Sequence, residues 1–202
     1  MIYEYLEFGS LRDFVRTQFH ERGFRQEEES ILQLQQLLTL ASDIASAMVF
    51  IVSQNFAHPA LSLKKVLLSE QCKCKLYDIY PRDMAMMKIN NVIKKSHSRI
   101  AWMPPETIFL STYSSSSDIW SFAVTLWELF SLGETPYAGR SIEEIEHNIR
   151  TSIHLPKPPD CPEAVYEVML NSWAKNDKAR PSFVDIKQKL QSILSRTAKR
   201  IK

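Results

Sequence analysis

The chain has 202 residues, 45% of them apolar and 24% charged, with a formal net charge of +2. That is the balance of a soluble globular domain with room for one sizeable core, and it supplies neither a basic field for nucleic acid nor an acidic tail. Only four glycines occur, at 9, 23, 133 and 139, and neither G-x-G-x-x-G nor G-x-x-x-x-G-K-[ST] can be drawn from them, which excludes a dinucleotide fingerprint and a Walker-type phosphate cradle within this sequence.

Residues 1–6 read as a short aromatic strand ending at Glu7-Phe8-Gly9. Ser10 then starts a helix: Ser10-x-x-Asp13 resembles a capping box, and Leu11, Phe14 and Val15 form its apolar face. Residues 20–30, with Gly23 and the run Glu27-Glu28-Glu29, predict a surface loop. A second helix spans 31–53, where Leu34, Leu37, Leu38, Ala41, Ile44, Ala45 and Met48 recur at three- and four-residue steps. Residues 44–63 carry no formal charge, but Ser46, Ser53, Gln54, Asn55 and Pro59 argue for a buried helix and a loop rather than a membrane span. No basic n-region precedes an apolar run at Met1, so no secretory signal is expected.

Val66-Leu67-Leu68 and Cys74-Lys75-Leu76-Tyr77, joined by the polar turn Ser69-Glu70-Gln71, predict a hairpin. The three cysteines, Cys72, Cys74 and Cys161, are too few and odd in number for a disulfide framework. Cys72-x-Cys74 is closer than zinc pairs usually are, and no second Cys/His pair follows. Residues 81–104 show no clear period, which predicts a functional or mobile connection. Residues 118–132 are apolar on most sides, the signature of a central core helix, and Gly133 suits its stop. Three amphipathic helices follow: one opened by the capping box Ser141-x-x-Glu144, one over about 162–173, and one after Pro181 with Phe183, Ile186, Leu190 and Leu194 inward. Trp102, Trp120, Trp127 and Trp173 are core candidates, His147 and His154 ordinary surface histidines, and Arg196 onward a solvated tail.

The stretch from Ser117 through Asp118-Ile-Trp120 and Trp127-Glu128 to Gly133, followed by Pro136-Tyr137, resembles the central C-lobe helix of protein tyrosine kinases. Trp102-Met-Pro-Pro-Glu106 is similar to the end of a kinase activation segment, and Cys161-Pro162, Tyr166, Met169, Trp173 and Arg180-Pro181-Ser-Phe183 to the two helices after it. Ala41-Ser-Asp-Ile-Ala-Ser46, Asn55-Phe56 and Pro158-Pro-Asp-Cys-Pro162 resemble the discoidin-domain and orphan-receptor group of receptor tyrosine kinases. The resemblance implies a mainly α fold: a kinase-like C-lobe with short β-hairpins and no N-terminal β-lobe. It implies a hinge-like segment at 1–9, a helical domain at 10–194 with 81–106 as the activation segment, and a basic tail at 195–202.

The kinase catalytic loop reads H-R-D-L-x-x-x-N, and the matching residues here are His58-Pro59-Ala60-Leu61-Ser62-Leu63-Lys64-Lys65. The resemblance places the general base at Ala60, which has no proton acceptor, and the magnesium-binding asparagine at Lys65, which repels a cation. It places D-F-G at Asp78-Ile79-Tyr80, so Asp78 keeps a carboxylate for magnesium, Ile79 an apolar residue for packing, and Tyr80 removes the freedom of a glycine. No tyrosine lies between Pro81 and Glu106. Leu67 corresponds to the floor of an adenine pocket. Glu106 and Arg180 correspond to a buried ion pair, Asp118 to a buried aspartate under the catalytic loop, and His58 to a structural histidine. The resemblance therefore implies a catalytically impaired module that binds protein partners, with self-association through the exposed face around residues 1–6 and 67–77. ATP and magnesium are expected to bind weakly if at all, with no nucleic acid and no transmembrane segment. The expected location is the cytoplasm or the cytoplasmic face of the plasma membrane. The alternative it leaves is the C-lobe of an active ATP-dependent tyrosine kinase whose N-lobe lies outside this chain. From the residues alone, Ser62-x-x-Lys65 matches a serine acyl-enzyme string without its companion motifs, and Lys64, Lys65, Lys94, Lys95 and Arg99 form a candidate basic face.

Overall fold

The computed structural model describes residues 8–20, 27–59, 61–95 and 97–199; the strand expected at 1–6 lies outside them. Helix α1 (Leu11–His20) follows Ser10, whose hydroxyl donates to Asp13 Oδ2 at 2.6 Å and accepts from the Asp13 amide at 3.3 Å. Helix α2 (Glu27–Ser53) begins earlier than the sequence period suggests. The acidic run at 27–29 is helical, as negative charge favours a helix N-terminus. Within it, Ser30–Ser53 is long and apolar enough to cross a bilayer by length and composition, but half of it is buried and it packs on the last helix of the chain. Its inner face is Leu38, Ala41, Ile44, Ala45 and Met48, spaced three and four apart and buried to 1% exposure or less.

Two small antiparallel pairs follow. Strand β1 (Phe56–Ala57) pairs with β4 (Tyr80–Pro81), and β2 (Val66–Leu68) with β3 (Cys74–Leu76) in the register Val66↔Leu76, Leu67↔Lys75, Leu68↔Cys74. The second is the expected hairpin; the first is too short to leave an alternation. The stretch 81–104 is not an irregular connection. It holds a 3₁₀ turn at Arg82–Met84, helix α3 (Ala85–Lys95) and a 3₁₀ run at His97–Trp102. Ala85 and Ile89 are buried and Val92 half-buried, which is an i, i+4, i+7 face that two Met and two Asn residues obscure.

Pro104 and Pro105 open α4 (Pro105–Leu110), where a missing amide costs nothing. Helix α5 (Ser115–Phe130) is the axis of the domain: every residue from Ser117 to Phe130 is buried. It opens three residues before its apolar run, on a capping box between Ser114 and Ser117. At its end Leu132 and Gly133 both take positive φ, 56° and 86°. A Cβ on Gly133 would lie 2.8 Å from Arg16 Cγ and 3.2 Å from the Arg12 carbonyl, so only glycine lets α1 approach this close. Helix α6 (Ile142–Thr151) has the Ser141/Glu144 box and α7 (Glu163–Ser172) follows Pro162. Helix α8 (Phe183–Ala198) opens on a Ser182/Asp185 box and runs to Ala198 with Thr197 buried, so the expected tail is helical over its first residues. His154 is not an ordinary surface residue: half-buried, it stacks on Trp173 at 5.5 Å and meets Trp120 edge-on at 6.1 Å. The three cysteines are free, Cys161 buried and Cys72 exposed.

Candidate functional site: the loop between β1 and β2

His58 and residues 61–65 lie against α5, which offers two buried carboxylates to the backbone of that loop. Asp118, fully buried, accepts the His58 amide at 3.0 Å and the Tyr113 hydroxyl on Oδ1, while Arg82 Nη1 lies 3.7 Å from Oδ2. Burial pushes the Asp118 carboxyl up to about 6, opposed by the Tyr113 and His58 bonds and by Arg82. Glu128 Oε2 accepts the Leu63 amide at 3.0 Å and the Trp102 indole at 2.9 Å. Burial carries that carboxyl to about 7 against those same bonds. The two acids thus fix both ends of the loop and tie it to the segment around Trp102.

His58 itself is scaffold. Its ring is fully buried, and burial lowers it to about 4, opposed by its backbone surroundings and by Asp78, which keeps it neutral. The solvent-facing side of the loop is built from charge. Lys65 Nζ pairs with Asp78 Oδ2 and stands 4.7 Å from the centroid of the Tyr77 ring. The Tyr77 hydroxyl in turn donates to the Lys64 carbonyl at 3.1 Å. The pair is partly open to solvent, at 22% and 37% exposure. Asp78 takes φ +63°, a left-handed backbone that an aspartate tolerates better than most residues.

Tyr80 is held by the β1–β4 ladder and by Lys88, whose ammonium lies 4.5 Å from its ring centroid. Ile79 is 36% exposed instead of packed inward. Ala60 lies outside the described residues; its side chain is a methyl whatever its placement. Leu67 is half-buried on β2, bridged to Ser10, with the next amide donated to the Gly9 carbonyl at 3.2 Å.

This donor set does not fit a magnesium ion. Magnesium demands near-octahedral oxygen coordination, whereas the carboxylate available at the loop, Asp78, is neutralised by the lysine beside it. Among the described residues no group of three His, Cys, Asp or Glu side chains could hold a metal ion. Nor does Ser62 stand as a nucleophile, since it is buried and its hydroxyl accepts from Arg99 at 3.3 Å while Lys65 is engaged elsewhere. Two members of the candidate basic face are engaged: Lys65 is tied to Asp78 and Arg99 to Ser62 and the Trp102 ring, while Lys64 and Lys94 are exposed.

A second cluster lies away from the loop. Arg180 donates through Nη1 and Nη2 to both oxygens of Glu106, at 2.7 and 2.8 Å. Its Nη1 also reaches the Ser116 carbonyl at 2.8 Å and its Nε the Ala174 carbonyl at 2.9 Å. Ser117 completes Glu106 at 3.0 Å, and the guanidinium lies 5.1 Å from the Trp120 ring centroid. Glu128, Tyr113 and Arg82 were not singled out from the sequence. Glu128 had a signal: a lone acid within an apolar run must be buried with partners.

A sequence profile of the family described as protein tyrosine and serine/threonine kinase matches residues 1–190. The chain is 33% identical over 193 residues to the tyrosine-protein kinase transmembrane receptor Ror of Drosophila melanogaster, covering 95% of this chain and 27% of that protein. It is 33% identical over 199 residues to the NT-3 growth factor receptor of Macaca fascicularis, covering 96% and 24%, and 36% identical over 168 residues to the platelet-derived growth factor receptor alpha of Takifugu rubripes, covering 81% and 16%. The chain therefore spans about a quarter or less of the length of these relatives. The profile covers nearly all of a helical fold in which α5 carries the loop: the chain belongs to the protein tyrosine and serine/threonine kinase family.

Proposed function

We propose that this chain is a catalytically impaired tyrosine-kinase-like domain that acts as a protein-interaction module in receptor-type signalling, at the cytoplasmic side of the cell. One observation carries the reading: Lys65 is paired with Asp78, so the loop's cation-binding carboxylate is cancelled by a charge of the chain itself. Two unit charges about 4 Å apart interact by roughly 4 kcal/mol at an effective dielectric near 20, and an arriving divalent ion must overcome that pair. Ala60 supports the reading further, because a positioned general base contributes about 10²–10⁴-fold to a reaction. Phosphoryl transfer depends on positioning and charge stabilisation, and both are weakened here.

The test pairs a phosphotransfer assay on tyrosine peptides with a thermal-shift titration of ATP and magnesium. No transfer is expected, and a magnesium-dependent shift is expected to be small. Robust transfer to tyrosine overturns the proposal and favours the competing reading, an active kinase that draws on residues beyond these 202. The relatives, which include a tyrosine-protein kinase transmembrane receptor, favour that second reading. The reading also includes self-association through the surface around residues 1–6, which lie outside the described residues, and 67–77, where Leu67 is half-buried and Tyr77 is 37% exposed. Sedimentation at micromolar concentration checks it, and a clean monomer removes it.

A further inference from the structure

Helix α1 places Arg12 and Arg16 one turn apart, and both turn to the same acceptor. Arg12 Nε lies 3.1 Å and Arg16 Nε 3.0 Å from the Gly133 carbonyl, just past the end of α5. Arg12 Nη2 also donates to Thr135 Oγ1 at 2.7 Å. One arginine suffices to satisfy a terminal carbonyl of a helix, so the second is surplus to capping. Two like charges four apart on a helix repel by a few tenths of a kcal/mol. Among the described residues neither arginine has a carboxylate within ion-pair distance. Glu128 feels Arg12 electrostatically, but it is buried with its bonded oxygen given to Leu63 and Trp102. The terminal nitrogens of the exposed Arg16 and Nη1 of the half-buried Arg12 have no acceptor among the described residues.

Thr135 links this cationic edge to a cleft of about 390 Å³ whose apolar wall is Trp127, Tyr137, Ile153, Leu155 and Pro156. Glu134 and Arg140 also border it, Arg140 held by Glu144 at 3.1 Å. The acidic side of a ligand is thus directed to the α1 arginines and its apolar side to the cleft. A guanidinium with free terminal nitrogens takes a carboxylate or a phosphomonoester by two parallel bonds.

We propose that Arg12, Arg16 and Thr135, with the cleft behind them, form a docking site for an acidic segment of a partner protein, whose anionic side chain meets the guanidinium pair and whose neighbouring apolar side chain fills the cleft. This deepens the interaction-module reading and rests on it; a peptide-binding measurement involves no phosphotransfer, so failure of one leaves the other standing.

The experiment is fluorescence anisotropy on the whole chain with three labelled peptides: a glutamate run followed by leucine, the same peptide with phosphotyrosine replacing the glutamates, and a lysine-for-glutamate control. Either anionic peptide is expected to bind and the control is not; the two anionic arms separate carboxylate from phosphomonoester recognition. Arg16→Glu is expected to weaken binding at least about tenfold with the melting temperature held, since Arg12 keeps the Gly133 carbonyl bonded. Ile153→Asp, at a 52% exposed position, is expected to weaken the leucine-bearing peptides. Arg16→Lys, which keeps the charge and loses the fork, serves if the reversal disturbs folding, and it too is expected to bind more weakly. Equal binding of the lysine control, no binding of either anionic peptide, or unchanged affinity in the Arg16 variants overturns the proposal.

Discussion

Two cation–carboxylate pairs with opposite consequences sit in the same domain. Arg180 and Glu106 are bidentate, with the guanidinium side chain at 0% exposure and further bonds to Ser116, Ala174 and Ser117. Lys65 and Asp78 form one contact at the partly solvated edge of a loop. The first pair repays its desolvation through a full set of hydrogen bonds and joins α4, α5 and the turn before α8. The second contributes little to folding, and under the proposed reading its role is to cancel the charge that a cation would need. Burial and hydrogen-bond satisfaction, more than charge pairing, separate a scaffold from a blockade.

The largest effect expected from breaking this contrast is at Arg180. Arg180→Ala leaves Glu106 partly buried without its partner, which costs about 3–5 kcal/mol, or roughly 6–20 °C in melting temperature for a domain of this size. Thermal unfolding by circular dichroism checks it; a melt unchanged from the parent chain breaks the scaffold half of the comparison.

His58 lies beside the second pair, with its amide on Asp118 and its ring close enough to feel Asp78 and Lys65. The folded ring titrates near 4 against 6.5 when unfolded. Its contribution to stability is therefore intact above pH 6.5 and is lost as pH falls through about 4, a change of roughly 3 kcal/mol at 1.36 kcal/mol per pH unit. Buried Glu128, carried to about 7, works in the other sense: its contribution is present below its ordinary value of 4.5 and is lost as pH rises through about 7. Glu128 and Asp118, both raised by burial, gain stability on acidification over much of the same range, so the histidine shows as a difference between chains. In denaturant unfolding at a series of pH values, His58→Leu should gain more stability than the parent, or lose less, as pH falls from 6.5 to 4. An identical pH slope in that variant removes His58 as a contributor.

The smallest effect on stability and the most informative for function belongs to Lys65→Asn. The pair is partly exposed, so stability should move by no more than about 1 kcal/mol. Freed of its counter-ion, Asp78 should acquire a magnesium-dependent thermal shift that the parent lacks. A parent chain that already responds to magnesium as strongly as the variant shows that the lysine blocks nothing.

Different parts of this arrangement were legible in the sequence for different physical reasons. Helix α5 was plain because an element buried on every side leaves an unbroken apolar run, and the Ser141/Glu144 box marked α6 by its spacing. Helix α3 was hidden because it packs only one narrow face, Ala85, Ile89 and Val92, between lysines and asparagines. The β1–β4 pair spans two residues per strand, below the length at which alternation can register. In the loop, Lys65 and Asp78 could be named from the sequence, but not their contact, which depends on the hairpin bringing residues 13 apart together. Tyr113 and Arg82 could not be assigned because Asp118 draws them in from separate segments.

The two acids on α5 also bear on how the chain assembles in time. Asp118 holds the His58 amide across 60 residues of sequence, and Glu128 holds the Leu63 amide across 65. Closing such spans carries an entropy cost that a local helical turn does not. His58 and residues 61–65 are thus expected to take their shape once α5 is in place to receive them, so the His58 and Leu63 amides should lose hydrogen-exchange protection before the amides of α5 do.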